Sequence, residues 1–240
     1  YIISKYYNDY FENGKGYGNF MSYGLFNVKP EVMINGNKYS LDESKITESV
    51  HNAWYESNNE PNVYKKDAYT WVKAPRYGGF ALEVGPLARM HISGEYTRGI
   101  STMDRTIARV LEAKKISNIM EDLLDNIKLE PSNQKKHEVP EKGYGRSLKD
   151  TTRGALGHWI SVKDKKIENY TIITPTTWNL SPTDAFGVKG VVEKALIGTY
   201  INNIKKPVEI GRIVRSFDPC VSCATHITSD KHSSIKIRVV

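Results

Sequence analysis

The clearest periodicity in the chain begins at Ser101. Met103, Ile107, Val110 and Leu111 recur at helical spacing, and Ile116, Ile119, Met120, Leu123 and Ile127 continue the stripe. Ser101 with Asp104 three residues later reads as a capping box, and Pro131 stands just past the end. The pattern predicts one long amphipathic helix of the kind that forms a core element of a bundle, and no site is assigned to it. A second helix is expected from Thr183 to about Asn202, where "TDAFGVKGVVEKALIGTYI" starts near Asp184 and carries an apolar face. Between Phe26 and Glu60 short apolar groups alternate with Asn and Gly, and "INGNKY" reads as a hairpin turn between two strands. In "YTWVKAPRYGGFALEVGPLARM", Pro75, Gly78, Gly79, Gly85 and Pro86 divide the segment into loops and short extended pieces. Residues 130–152 are polar and bear Gly and Pro, which predicts a loop. Together these elements predict a mixed α+β fold, mainly helical, with a helix-bundle core, peripheral short strands and long loops.

Composition narrows this picture without redirecting it. A chain of 240 residues can bury a substantial core, and 39% hydrophobic with 25% charged residues is ordinary for a globular protein. No apolar run approaches the ~20 residues that a spanning helix needs. The first twenty residues lack a basic segment followed by an apolar one, so no signal peptide is expected there. A start at Tyr1 reads as a fragment or a processed piece. The net charge of +7 invites a nucleic-acid reading, but the Lys and Arg residues are scattered. Their densest cluster, "NQKKHEVPEKGYGRSLK", is mixed with acids and turn residues and reads as a solvated loop, so no nucleic-acid partner is expected.

Both cysteines lie in one stretch near the end, "SFDPCVSCATHI". A CxxC lets two sulfurs converge on one metal, and Pro219 fixes the approach to Cys220. Asp218 offers a carboxylate beside the same place, and His226 follows three positions after Cys223. A c-type haem needs His directly after the second Cys, and here Ala224 and Thr225 intervene. A thioredoxin-like pair needs a βαβ context that the pattern lacks. A structural zinc site needs four ligands, and there is no second CxxC. The best reading from the residues alone is an incomplete metal site, with the missing thiolates supplied by another segment or another chain.

Four ordered blocks then resemble one family. "DPCVSCATH" resembles the C-terminal DPCxxCxxH signature of nickel-iron hydrogenase large subunits. "KAPRYGGFALEVGPLARM" is similar to that family's KAPRY and EVGPLAR block, "RGALGHWI" to its RGALGHW block, and "PTTWNLSPTDAFG" to its P(S/T)TWN block. "HNAWYE", from His51 to Glu56, fits the family's HSWYE less well.

The resemblance implies a large-subunit type of helical core. It also implies a nickel-iron pair held by four thiolates, with carbon monoxide and cyanide on the iron, that cleaves or forms dihydrogen heterolytically. Cys220 would be a terminal nickel ligand and Cys223 a thiolate bridging nickel and iron. Arg153 resembles the arginine over the metal pair, Thr176 the residue bonding a cyanide, and Asp218 the carboxylate near that arginine. His226 resembles the ligand of a nearby magnesium, with the Leu156 carbonyl a weaker candidate for the same ion. Cys220 ranks first as proton acceptor, and Arg153, normally always protonated, as electrostatic and positioning help.

Two departures stand out. The family usually has Pro before the RGALGHW arginine, where this chain has Thr152, and the N-terminal CxxC is absent. The resemblance therefore implies a C-terminal half, from residue 1 to residue 226, which needs an N-terminal half in the same or a separate chain. It further implies an iron-sulfur small subunit, since two cysteines cannot host a chain of clusters. Ile227 to Val240 would be a cleavable extension removed by a maturation endopeptidase. The plainer alternative is that "SIKIRVV" is an ordinary terminal strand.

The family places such proteins in the periplasm or at the membrane through their partners, with a cytoplasmic location also open. Two other functions compete: a non-catalytic relative like the quinone-site subunit of respiratory complex I, which generally lacks these cysteines, and a zinc-binding or assembly module. His158 reads as a satisfied core histidine. Trp159 and Trp178 read as core aromatics beside the site, and Arg76 and Arg89 as structural ion-pair partners.

Overall fold

The computed structural model describes residues 7–26, 29–129, 131 and 137–220 in full, together with the backbone of two short strands at 224–227 and 235–238. Strands β1 (Phe20–Ser22), β2 (Glu31–Ile34) and β3 (Asn37–Ser40) form an antiparallel sheet in that order. The β2–β3 hairpin is the one expected from "INGNKY". Asn35 and Gly36 both take positive φ, 51° and 81°, as a two-residue turn matched to strand twist requires. Strands β4 (Ile46–Ser49) and β5 (Ala74–Tyr77) pair antiparallel. Helices α1 (Pro86–Ser93) and α2 (Thr102–Asp125) follow, then an antiparallel meander of β6 (Lys142–Thr151), β7 (Gly154–Lys163) and β8 (Lys166–Ile173). Short helices α3 (Pro175–Asn179), α4 (Val191–Leu196) and α5 (Val208–Ser216) lead to the cysteine motif. Beyond it, β9 (Ala224–Ile227) pairs antiparallel with β10 (Ile235–Arg238).

Several expectations need correction. The fold is mixed, with 29% helix and 26% strand, and the expectation that it is mainly helical is not borne out. Residues 142–151, expected within a loop, form β6. Its ten residues pair with β7 from Lys142↔Lys163 to Thr151↔Gly154, and this cross-strand pairing overrides local polarity.

The helix expected over Thr183–Asn202 shrinks to α4. Asp184 does not cap a helix. One carboxylate oxygen accepts the amides of Phe186 and Val188, closing a turn, and the other accepts Arg76 Nε. Helix α1 was hidden by its punctuation. Pro86 occupies the first helical position, where its missing N–H costs nothing, and Gly85 precedes it at φ 119°. The long helix α2 has the expected capping box. Only its first half is buried, and Met120, Leu123 and Leu124 are exposed.

Three apolar clusters share the interior. Met21, Val32, Leu82, Ala155 and Trp178 join β1 and β2 to β7 and α3. Phe20, Leu87, Ile92 and Ala108 join β1 to α1 and α2. Val191, Ile213 and Phe217 join α4 to α5.

Between the clusters run three buried guanidinium networks. Arg76 bonds Asp184 at 2.7 Å, Ser181 Oγ at 3.0 Å and the carbonyls of Pro75, Pro182 and Val188. Arg89 meets both oxygens of Glu112 at 2.6 Å and Asp150 Oδ2 at 3.2 Å. It also donates to the carbonyls of Thr151 and Thr152 in the β6–β7 turn. Arg105 meets both oxygens of Glu83 at 2.7 and 2.9 Å. Arg76 and Arg89 are thus the structural ion-pair partners the sequence suggested.

Because Glu112 and Asp150 are both buried, Arg89→Met leaves two carboxylates without a cation. The expected loss is about 3–5 kcal/mol, read as a lower denaturant midpoint of the assembled protein. Arg89→Met with Glu112→Leu should lose less than the sum of the two single losses.

Glu48 on β4 has its carboxyl pushed above the ordinary value of 4.5 by burial, with Lys73 only partly countering it. Its native state therefore holds a proton more tightly than its unfolded state. The stability cost is absent below pH 4.5, grows as pH rises through the raised native value, and is full above it. Glu48→Gln should raise the melting temperature at neutral pH and leave it unchanged in acid.

Candidate functional site

The cysteine motif is presented by the unwinding of α5. At its end Ser216 Oγ donates to Ile213 O at 2.6 Å, the Phe217 amide to Val214 O at 3.1 Å, and the Asp218 amide to Arg215 O at 2.9 Å. Asp218 then turns to φ 50°, a left-handed conformation that Asp tolerates better than most side chains, and buried Pro219 prevents the helix from resuming. Cys220 emerges on the surface as a free thiol. Its amide donates to Thr176 Oγ1 at 3.2 Å. Thr176 is held by α3, whose N-cap Thr174 accepts the Thr177 amide and whose first position is Pro175.

Arg153 approaches the same turn from the other side. It sits in the two-residue connection between β6 and β7, directly after the carbonyls that Arg89 holds. Its Nε donates to the Asp218 carbonyl at 3.0 Å and lies 3.3 Å from Asp218 Oδ2. The two side chains are 43% and 36% exposed, so the pair stabilises by no more than about 1 kcal/mol and serves mainly to aim the guanidinium.

Two glycines allow this approach. A Cβ on Gly154 would lie 2.5 Å from the Gly85 nitrogen, and one on Gly85 would lie 3.0 Å from the Arg153 carbonyl. At φ 124° and 119° both positions favour glycine for conformation as well as for space.

Under the turn lies a narrow cleft lined by Glu83, Arg105, Arg109, Arg153, Asn179 and Asp218. Arg105, paired with Glu83, stacks on the Phe217 ring at 3.6 Å. Arg109 donates to the Ser216 carbonyl at 2.8 Å. Burial holds the Arg109 guanidinium below its ordinary pKa, Asp218 opposes that shift, and neighbouring Arg105 and Arg153 add to it. Asn179 clamps Val84 with two bonds of 3.0 Å, one to its amide and one from its own amide to the carbonyl.

The sequence reading therefore brings Arg153, Thr176, Asp218 and Cys220 together, from three separated blocks. Leu156 lies on β7, three residues from Arg153 and opposite Lys149. His226 lies on β9 opposite Lys236, and Cys223 falls outside the described residues. His158 is satisfied, Nδ1 being 2.8 Å from the Tyr170 hydroxyl, but it is half-buried on the meander. Trp178 is fully buried and Trp159 packs against the same cluster.

Sequence reasoning missed Glu83, Arg105, Arg109 and Asn179. Glu83 and Asn179 stand inside blocks already singled out. Arg105 and Arg109 are one helical turn apart on α2, but their partners lie 22 and 107 residues away.

The donor chemistry fits part of a thiolate-held metal centre. An exposed thiol stands on a backbone whose amide bonds the Thr176 hydroxyl, two residues after the carbonyl that accepts Arg153. Among the described residues no three His, Cys, Asp or Glu side chains converge into a complete site. Cys223 is the second of the two cysteines in the sequence.

Comparison with known proteins identifies the family. A sequence profile described as "Nickel-dependent hydrogenase" matches residues 1–99 and 93–226. The chain is 32% identical, over 97% of its length, to the periplasmic [NiFeSe] hydrogenase large subunit of Desulfomicrobium baculatum, of which it covers 54%. It is 34% identical, over 81% of its length, to the hydrogenase-1 large chain of Citrobacter freundii, of which it covers 42%. A solved [NiFeSe] hydrogenase from Desulfovibrio vulgaris Hildenborough superimposes with a TM-score of 0.86 at 33% identity, covering 92% of this chain and 55% of that one. One from Desulfomicrobium baculatum gives 0.82 at 33%, covering 90% and 53%. The chain spans about half the length of the curated relatives it matches. It belongs to the nickel-dependent hydrogenase family.

Proposed function

We propose that this chain supplies half of a nickel-iron centre that cleaves or forms dihydrogen heterolytically, as part of a hydrogenase large subunit. The observation that carries the reading is the convergence of Cys220, Thr176, Arg153 and Asp218 at the end of α5. Three of the blocks that resemble the family meet there through a 3.2 Å bond at the cysteine backbone and a 3.0 Å bond at the Asp218 carbonyl.

Cys220 and Cys223 would hold the metals together with two thiolates from the remainder of the large subunit. When bound, the metal pair supplies the polarisation of dihydrogen and accepts its electrons. Cys220 Sγ takes the proton, because a metal-held thiolate is a base within reach and a guanidinium stays protonated. Asp218 holds Arg153 at its Nε, which leaves the Nη groups available to face the centre as fixed donors. Thr176 positions the Cys220 backbone through its Oγ, and its proton remains available to a cyanide on the iron. His226, with the Leu156 carbonyl, is proposed to bind a magnesium ion.

The remaining assignments follow from the family reading. Electrons leave through an iron-sulfur small subunit, since the chain has no further cysteines to host clusters. Residues 227–240 act as an extension that a maturation endopeptidase removes after His226, and β10, paired with β9, belongs to that extension. Among the described residues no helix is long and apolar enough to cross a membrane, and the proposed site of action is the periplasm or a membrane surface reached through partner subunits.

The assembled, matured protein should contain about one nickel per large subunit and catalyse hydrogen-dependent reduction of an artificial acceptor dye. A matured sample with no nickel overturns the reading. Arg153→Lys keeps the charge but loses the Nε donor to Asp218. It should retain nickel, with kcat reduced at least tenfold, about 1.4 kcal/mol, while KM for hydrogen changes little. Unchanged kcat would remove Arg153 from the centre.

A further inference from the structure

The second half of α2 carries an apolar face that the described residues leave largely uncovered, and we infer that this face is the seam on which the remainder of the large-subunit fold docks, through an amphipathic helix. The inference deepens the reading of the chain as part of a large subunit and rests on it.

The observation is geometric. At 100° per residue, Ile116, Ile119, Met120, Leu123 and Leu124 fall within an arc of about 140°. No charged residue between positions 116 and 124 enters that arc; Asn118, Glu121 and Asp122 lie on the opposite side. Met120 is 57% exposed, Leu123 65% and Leu124 67%, and Ile127, just past the helix, is 64% exposed. A stripe of this width on a 24-residue helix is the pattern of a helix that faces a core.

The first half of the same helix shows what a covered face looks like. Thr102, Met103, Asp104, Arg105, Ala108 and Glu112 are buried, and among the described residues the last side-chain anchor from this helix onto another element is Lys115 to Glu95 at 2.6 Å. Beyond it the helix continues for ten residues, to Asp125.

Three facts select the occupant. First, solved relatives of the same fold contain as much chain again: this chain covers 53–55% of them, so 45–47% of each lies elsewhere. Second, the thiolate set is half complete, so a functioning centre requires that remainder to pack against this chain. Third, the arc has no polar member, whereas interfaces between separately soluble subunits are about as polar as the rest of the surface. An all-apolar stripe suits contact within one folding unit, and the occupant presents leucine-like side chains at helical spacing. Self-association is disfavoured, because each copy carries a net charge of +7.

The test is cysteine labelling in the assembled protein. Met120→Cys, Leu124→Cys and, on the opposite face, Asn118→Cys are each treated with maleimide, and labelling is read peptide by peptide so that Cys220 and Cys223 do not interfere. Residues 120 and 124 should label at least about tenfold more slowly than residue 118. Amine cross-links from Lys114 and Lys128 should lead to the part of the large subunit outside this chain. Equal labelling at all three positions overturns the inference. So do cross-links leading instead to a second copy of this chain or to an iron-sulfur subunit. Nickel content of the same samples reports separately on the proposed function, so failure of the seam is distinguishable from failure of the metal assignment.

Discussion

A guanidinium removed from water must have its charge balanced and its five N–H groups satisfied, and it cannot shed its proton to escape that demand. Arg76 and Arg89 meet the condition with five bonds each, Arg105 has its charge balanced by Glu83 and makes three bonds, and the fold depends on all three. Arg76 draws β5 to the turn around Asp184, Arg89 draws α1 to α2 and to the β6–β7 turn, and Arg105 draws α2 to Glu83. Each spans a long stretch of sequence, and each uses backbone carbonyls as well as carboxylates. A carbonyl accepts along a narrow range of directions, so these networks fix chain positions more tightly than apolar contact alone. Thr151 and Thr152 are fixed in this way, and the next residue is Arg153.

That sequence of constraints explains how an exposed site can be ordered. Arg153 and Asp218 are each too solvated for their ion pair to organise anything by itself. Their backbones are placed from below: Arg153 by Arg89 and by the Gly85–Gly154 approach, Asp218 by Arg109 on the Ser216 carbonyl and by Arg105 against Phe217. The thiol of Cys220 then needs only the Thr176 hydroxyl at its amide. The chemistry sits at the surface of this chain, and the interior positions it. An exposed Cys220, two residues past the Asp218 that holds a surface guanidinium, is what the proposed centre shared between two halves of a fold would present.

Legibility in the sequence followed the range of the interaction. The capping box of α2 and the Asn-Gly hairpin were readable because their donors and acceptors lie within a few residues of one another. The four site residues from Arg153 to Cys220 were readable through family-like blocks, and their spacing alone gave only an incomplete metal site. The strand β6 was not readable, because its pairing with β7 rather than its own composition decides it. Neither was the loss of the helix over Thr183–Asn202, because the helix-forming role of Asp184 was pre-empted by Arg76, 108 residues away. The stripe on α2 was read as the apolar face of a core helix, and its second half is exposed among the described residues. Periodicity reports that a face must be covered; it does not report whether the covering belongs to this stretch of chain.

The central claim is that Cys220 is a metal ligand held in place by this scaffold. Nickel-edge X-ray absorption on the assembled protein tests it most directly, comparing the native chain with Cys220→Ser. The expected nickel shell is dominated by sulfur, and on substitution it loses one sulfur and gains an oxygen or nitrogen neighbour. A nickel shell with the same sulfur count in both proteins would contradict it.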